Sequence, residues 1–142
     1  MSLDNIKALV EELERAIYRY TSAVKKLHLA IKKLAKGGDV QDLEERIQSL
    51  VSTSRWVEKL LEKTLSVDLE GLDSDTSERF NLLSFFVSEA GASYEAEIWE
   101  LLRRVATKRG VALHIDIDEQ IGRAKRLHEL AKRIVERTKL CI

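Results

Sequence analysis

The stretch that decides the fold is LDNIKALVEELERAIYRYTSAVKKLHLAIKKL, residues 3–34. Its large apolar residues recur at alternating steps of three and four, a heptad pattern typical of an α-helix with one packed stripe. One heptad position is mostly β-branched and the other mostly leucine, which favours two-stranded parallel pairing in isolated coiled coils. The same spacing occurs in bundles formed by a single chain, and we favour a bundle because further helical segments follow. The stripe consists of Leu3, Ile6, Val10, Leu13, Ile17, Tyr20, Val24, Leu27, Ile31 and Leu34.

A second helix follows after a very short link. The pair Gly37-Gly38 ends the first helix, because glycine tolerates the left-handed backbone found at helix ends. Asp39 is predicted to be the N-cap of the second helix, whose own heptad pattern continues to about Ser66. A two-glycine link forces the two helices into an antiparallel hairpin. An acidic loop without periodicity occupies residues 67–76.

A third helical arm is predicted to start at the capping-box pattern of residues 75–78. Its segment FNLLSFFV, residues 80–87, is apolar nearly all round, which predicts either the central helix of the fold or part of an oligomer interface. Near Gly91 the arm is expected to kink, to break or to pack closely on another helix. It ends at Arg109-Gly110, and its later apolar stripe is predicted to be Tyr94, Ile98, Leu101, Leu102 and Val105.

The last arm follows an extended link. Residues 111–117 alternate weakly like a strand, but no second strand is available to pair with them. A final helix then runs from the caps near Asp116 to about Thr138. The prediction is an all-α, up-down-up-down bundle of four long helical arms with coiled-coil-like packing, in one domain covering residues 1–142.

Composition narrows the class of protein. Charged residues make up 34% of the chain, there is no proline, and the abundance of Lys, Arg and Glu resembles thermophile usage. No apolar run is long enough to cross a membrane. The single cysteine, Cys141, cannot form an intramolecular disulfide and is expected to be an incidental thiol. We therefore expect no membrane partner and a reducing, cytoplasmic setting.

Signatures of catalysis and metal binding are missing from the sequence. It contains no phosphate-binding glycine loop, no nucleophile elbow and no zinc-binding His-Glu-x-x-His. None of the three histidines has a glutamate three positions before it, as a ferritin-like di-iron site requires. The prediction is a protein without catalytic residues, metal, cofactor or small-molecule ligand.

One weak motif points to RNA chemistry. Arg109–His114 and Arg123–His128 have the Arg-x4-His spacing, which is similar to the motif of helical HEPN-type ribonucleases. That resemblance implies an arginine and a histidine acting on RNA. The residue after the arginine, usually polar in that family, is Gly110 in the first pair and an alanine in the second. The second pair lies inside a predicted helix, where a separation of five residues turns the side chains apart.

Charge is distributed unevenly along the chain. Residues 1–38 carry a net charge of +4, residues 39–100 carry −10, and residues 101–142 carry +6. In the predicted bundle the basic segments meet at one end, which could obey the helix dipoles, bind phosphate backbones or dock onto the acidic loop of another molecule. The nucleic-acid candidates are Arg103, Arg104, Lys108, Arg109, Arg123, Lys125 and Arg126.

The expected function is that of a non-enzymatic interaction protein, either a homo-oligomer or a subunit of a larger assembly. The apolar surplus of the first and third arms supports this, since it exceeds what four helices need for one core. The interface candidates are Tyr20, Phe85, Phe86 and Trp99. A small basic subunit that contacts nucleic-acid backbone is the second interpretation, and a HEPN-like ribonuclease is the third.

Overall fold

The computed structural model describes residues 2–139, so Cys141 lies outside the described part of the chain. Within those residues there is no strand, and four helical arms pack into the predicted all-α bundle. A 3₁₀ turn precedes the third arm, and a π-helical turn joins its two halves. The helices are α1 (Leu3–Ala35), α2 (Leu43–Leu65), α3 (Ser74–Phe86), α4 (Ala92–Arg109) and α5 (Ile117–Arg137), with the 3₁₀ turn at Leu69–Gly71 and the π turn at Val87–Gly91.

Helix α1 packs on two neighbours at once. Of its ten predicted heptad residues, nine are buried and only Leu3 is exposed. A further stripe of Leu9 and three alanines, Ala16, Ala23 and Ala30, is buried beside them. Three apolar positions per heptad make a wider face than a two-stranded coiled coil uses. The width allows α1 to pack on α2 on one side and on α4 on the other, as expected for a single-chain bundle.

The first hairpin closes as predicted, apart from the start of α2. Gly37 takes a φ of 90°, the left-handed backbone expected beyond a helix end. Helix α2 begins at Leu43 rather than near Asp39, so the predicted N-cap is wrong. Asp42 occupies the N-cap without a capping hydrogen bond, because its carboxylate accepts from Nε of Arg46 at 2.7 Å instead.

The later helix ends follow the local sequence. Helix α3 begins at Ser74 with Asp73 as N-cap, slightly before the predicted capping box. In α5, the Asp116 side chain accepts a hydrogen bond from the backbone N–H of Glu119 at 3.1 Å, as an N-cap does. Residues 111–116 form the extended link predicted for them.

The arms are ordered around the core as α1, α2, α5 and then the third arm. This order makes α2 and α5 parallel neighbours: Arg126 of α5 pairs with Glu62 of α2, and Arg123 lies near Glu58. Helix α1 and the third arm are also parallel neighbours. The C-terminal ends of α1 and α4 consequently meet, and a Cβ added to Gly37 would lie 3.3 Å from Nη2 of Arg109.

The third arm continues through its glycine without a break. Gly91 closes the π turn and has ordinary right-handed helical angles. A Cβ added there would lie 3.0 Å from Cε2 of Tyr20, so the glycine allows α1 and the arm to approach closely. The close packing predicted near Gly91 is therefore present, and it coincides with a local change of helix type.

One of the two alternatives for residues 80–87 is wrong, because this segment does not form the central helix of the fold. Phe80 and Val87 are fully buried, whereas Leu82, Phe85 and Phe86 are between 40% and 59% exposed. The reason is geometric: α3 lies between only two neighbours, α1 and α5, so its remaining side is left to solvent.

Candidate functional site

Large hydrophobic side chains are exposed together on α1 and α3. Leu82, Phe85 and Phe86 follow the i, i+3, i+4 spacing that places them on one side of α3. Tyr18 and Leu29 of α1 are 78% and 62% exposed, and together with Phe86 they line one groove of about 510 Å³. We call these five residues the apolar face.

The groove carries opposite charges at its two ends. Glu14 lies on one side of Tyr18, whereas Lys25 and Lys26 lie beyond it toward Leu29. Glu14 Oε2 also accepts from Nη2 of Arg79 in α3 at 3.1 Å, an exposed ion pair that links the two helices. The apolar centre of the groove is therefore bordered by an acidic end and a basic end.

A second, mostly apolar pocket of about 390 Å³ adjoins the groove and shares Phe86 with it. It exists because Ala90 and Gly91 present little or no side chain toward α1. Tyr94 lines it, and its hydroxyl is in hydrogen-bond contact with Nδ1 of His28. The pocket thus extends the apolar face along the junction between α1 and the third arm.

A buried carboxylate lies at the centre of the bundle. Oε1 of Glu95 accepts from the hydroxyls of Tyr20 at 2.8 Å and Ser54 at 2.9 Å, and Oε2 accepts from Nε1 of Trp99 at 2.9 Å. Burial raises the pKa of Glu95, and three donors together with the charge of Arg123 oppose that rise. Burial and the neighbouring carboxylate also raise the pKa of the Tyr20 hydroxyl. The cluster joins α1, α2 and α4.

This cluster cannot serve as an active site in the described conformation, because the side chain of Glu95 has no exposed surface. Its arrangement fits a structural role, since buried polar groups need hydrogen-bond partners and these four residues supply them to one another. Sequence reasoning missed Glu95, although its spacing from Trp99, Leu102 and Ala106 repeats the i, i+4, i+7, i+11 pattern of a buried stripe.

Two of the four predicted interface residues belong to this core. Tyr20 and Trp99 are fully buried, so neither offers surface to a partner of the folded chain. Phe85 and Phe86 are exposed, as an interface requires, and both belong to the apolar face.

The basic residues proposed for nucleic acid do not form one continuous face. Arg103 pairs with Asp118 at 2.8 Å and with Glu100 at 2.9 Å. Arg123 and Arg126 point toward carboxylates of α2. Among residues 2–139, the candidates without an ion-pair partner are Arg104, Lys108, Arg109 and Lys125, and the groove that holds Arg104 and Lys125 also contains Glu97 and Glu100.

The Arg-x4-His pairs are not assembled into a site. Arg123 faces Glu58 of α2, whereas Nδ1 of His128 donates to the carbonyl oxygen of Ser88 in the π turn at 2.8 Å. The predicted divergence of this pair is therefore confirmed. In the other pair, the Arg109 guanidinium lies beside Gly37 of the α1–α2 link, whereas His114 is exposed on the extended link.

Two further features bear on binding. Among residues 2–139, no three His, Cys, Asp or Glu side chains come together in a way that could hold a metal ion. None of the helices in that range combines the length and apolarity that a membrane span requires.

Comparison of the chain with protein-family models, with curated proteins and with solved structures found no match.

Proposed function

We propose that this protein is a non-enzymatic interaction protein that self-associates, alone or as a subunit of a larger assembly, through the apolar face of α1 and α3. One observation carries the proposal: five large hydrophobic side chains are exposed on α1 and α3, and three of them, Tyr18, Leu29 and Phe86, line one groove. Soluble monomers rarely expose a contiguous apolar patch of more than a few hundred Å². Aromatic residues are also enriched in the buried centres of protein interfaces.

The energy scale is compatible with association. Complete burial of one large hydrophobic side chain contributes about 1.5–3 kcal/mol, and each copy offers five that are partly exposed. Association costs about 4–15 kcal/mol in lost freedom of motion. Because two copies contribute equally at a symmetric contact, the gain can exceed this cost even when each side chain is only half-exposed beforehand.

Light scattering coupled to size exclusion tests this proposal. The wild-type chain is expected to elute as a species of about twice 16.2 kDa, and Leu29→Glu or Phe86→Glu should shift it to one chain, because each places a charge in the contact. Leu3→Glu is the matched control, since Leu3 is equally exposed on the same helix but lies outside the groove. A wild-type monomer at every concentration would overturn self-association.

A second candidate function is binding of nucleic-acid backbone, supported by the cations Arg104, Lys108, Arg109 and Lys125, which have no ion-pair partner among residues 2–139. Such binding would be insensitive to sequence and would weaken steeply with salt. A short duplex at low salt is the probe, and Arg104→Ala with Lys125→Ala should weaken its binding. Absence of binding at low salt would exclude this function.

The proposed setting is the cytoplasm. The support is the cysteine content of the sequence, since one cysteine in 142 residues leaves the fold without an intramolecular disulfide.

A further inference from the structure

We propose that the chain forms an antiparallel two-fold dimer in which the outer face of α1 lies against the same face of a second copy. This inference rests on the proposed self-association and adds the orientation and the contacts. It starts from the order of charges along the solvent side of α1, which the bundle leaves without an intrachain partner over much of its length.

The side chains on the outer side of α1 change in charge from one end of the helix to the other. Residues spaced by three or four turn toward solvent there, and they change from acidic to basic along the helix, with Tyr18 and Ser22 at the transition. Lys7 is a basic exception within the acidic half of the stripe, and Arg15 is a further exposed cation beside it. The stripe consists of Asp4, Lys7, Glu11, Glu14, Tyr18, Ser22, Lys25, Leu29, Lys32 and Lys36.

This polarity decides between the two ways of pairing the faces. A parallel pair would place Glu14 beside Glu14 and Lys25 beside Lys25 of the second copy, and like charges across an interface oppose association. An antiparallel pair places the acidic half of each copy against the basic half of the other. The intrachain partner Arg79 contacts Oε2 of Glu14 but leaves the side chain half-exposed and able to face a second cation.

The apolar face fits the same symmetry. Glu14 and Lys25 are eleven residues apart, about 16 Å along a helix, and both line the groove that contains Phe86. A two-fold axis midway between them passes near Phe86, so Phe86 of both copies would meet at the centre of the contact. Leu82 and Phe85, on the same side of α3 as Phe86, would extend the apolar contact. The contact is self-complementary and closes after two chains.

A double-mutant cycle on the dimer tests the orientation. Dissociation constants of full-length chains are measured by analytical ultracentrifugation for the wild type, Glu14→Lys, Lys25→Glu and the double variant. In the antiparallel dimer each single reversal creates two like-charge contacts and should weaken association about tenfold, whereas the double variant restores both opposite-charge contacts and should return to near wild-type affinity. Arg133→Glu on the exposed side of α5 is the control and should change nothing.

The possible outcomes distinguish the antiparallel orientation from self-association itself. If the wild type is a dimer and all four chains associate equally well, self-association stands but the antiparallel contact is wrong. The same holds if the double variant is weaker than both single variants. If the wild type stays monomeric, both self-association and the antiparallel contact are wrong, and this result is known before any charge is reversed.

Discussion

The two halves of the third arm, α3 and α4, differ in which kind of side chain they bury. Helix α3 leaves Leu82, Phe85 and Phe86 in solvent, whereas α4 encloses the carboxylate of Glu95. Judged by residue type alone, the three apolar side chains of α3 would be buried and Glu95 would be exposed. The comparison shows that position in the bundle, rather than residue type alone, decides burial.

The inward stripe of the third arm continues through the π turn that joins its two halves. A π turn contains about one residue more than an α turn, and here it contributes Val87, Ser88 and Gly91 as buried positions between the halves. Continuing the stripe of Phe80 and Ser84 at 3.6 residues per turn leads near positions 95, 98 and 102, and Glu95, Ile98 and Leu102 are all buried there. The carboxylate of Glu95 and the indole of Trp99, one turn later, therefore both lie in the core.

The largest expected effect on stability is the difference between two phenylalanines of α3. Phe80→Ala should lower the free energy of unfolding by about 3–5 kcal/mol, because a fully buried ring leaves a cavity. Phe85→Ala should lower it by less than about 1 kcal/mol, since half of that ring is already in water. Urea unfolding of both variants in a Leu29→Glu background removes the contribution of self-association. Equal losses would mean that the two rings are equally enclosed, and would contradict the comparison.

A second test removes the buried carboxylate from α4. Glu95→Ala should cost about 2–4 kcal/mol, because the Tyr20 and Ser54 hydroxyls and the Trp99 indole N–H would each lose a buried partner. Glu97→Ala, two positions away and exposed, is the matched control and should stay within about 0.5 kcal/mol of the wild type. A loss at Glu95 no larger than at Glu97 would show that the cluster adds nothing to stability.

The sequence predicted the fold closely because each helix carries its own local signals. The heptads of α1 and α2, the glycine link and the cap at Asp116 all have their expected roles. The order of the arms around the core could not be predicted, because a loop of ten residues permits α2 to be followed by a neighbour or by a diagonal helix. The buried cluster was missed for a different reason: the stripe was assigned from apolar residues alone, and Glu95 is a charged residue at an inward position.

The candidate site was predicted only in part. Phe85 and Phe86 stood out by composition, and both are exposed. Tyr20 has the same kind of ring, but it lies on the inner stripe of α1, opposite Tyr18. Tyr18 and Leu29 were not singled out, although both fall between the heptad positions, which is the signal that identifies an exposed apolar residue on an amphipathic helix.

The pH dependence of stability tests whether the folded state favours the protonated form of Glu95. Its pKa is raised by burial, so the folded state holds that proton more tightly than the unfolded chain. The stabilisation from this proton is present below the usual pKa of a glutamate and is lost as the pH rises through the raised pKa. Glu95→Gln keeps the shape and cannot titrate, so the wild type should lose stability relative to this variant as the pH rises. Denaturant unfolding of both across mildly acidic to mildly alkaline pH measures it, and a difference that moves the other way would mean that the charged form is the favoured one.

The smallest expected effect on stability is the difference between alanine substitutions at two glycines with helical backbone. Gly122→Ala in α5 has open space around the added methyl group and should stabilise the fold by about 0.5–1 kcal/mol, because alanine loses less backbone entropy in a helix. Gly91→Ala has the same gain but places its methyl 3.0 Å from Cε2 of Tyr20. That ring is fully buried and held at its hydroxyl by Glu95, so it has little freedom to move aside, and we expect a net loss of stability. Thermal unfolding of the two variants compares them directly. Equal stabilisation would show that α1 can withdraw from the π turn, and the close approach at Gly91 would then not constrain the packing of the third arm.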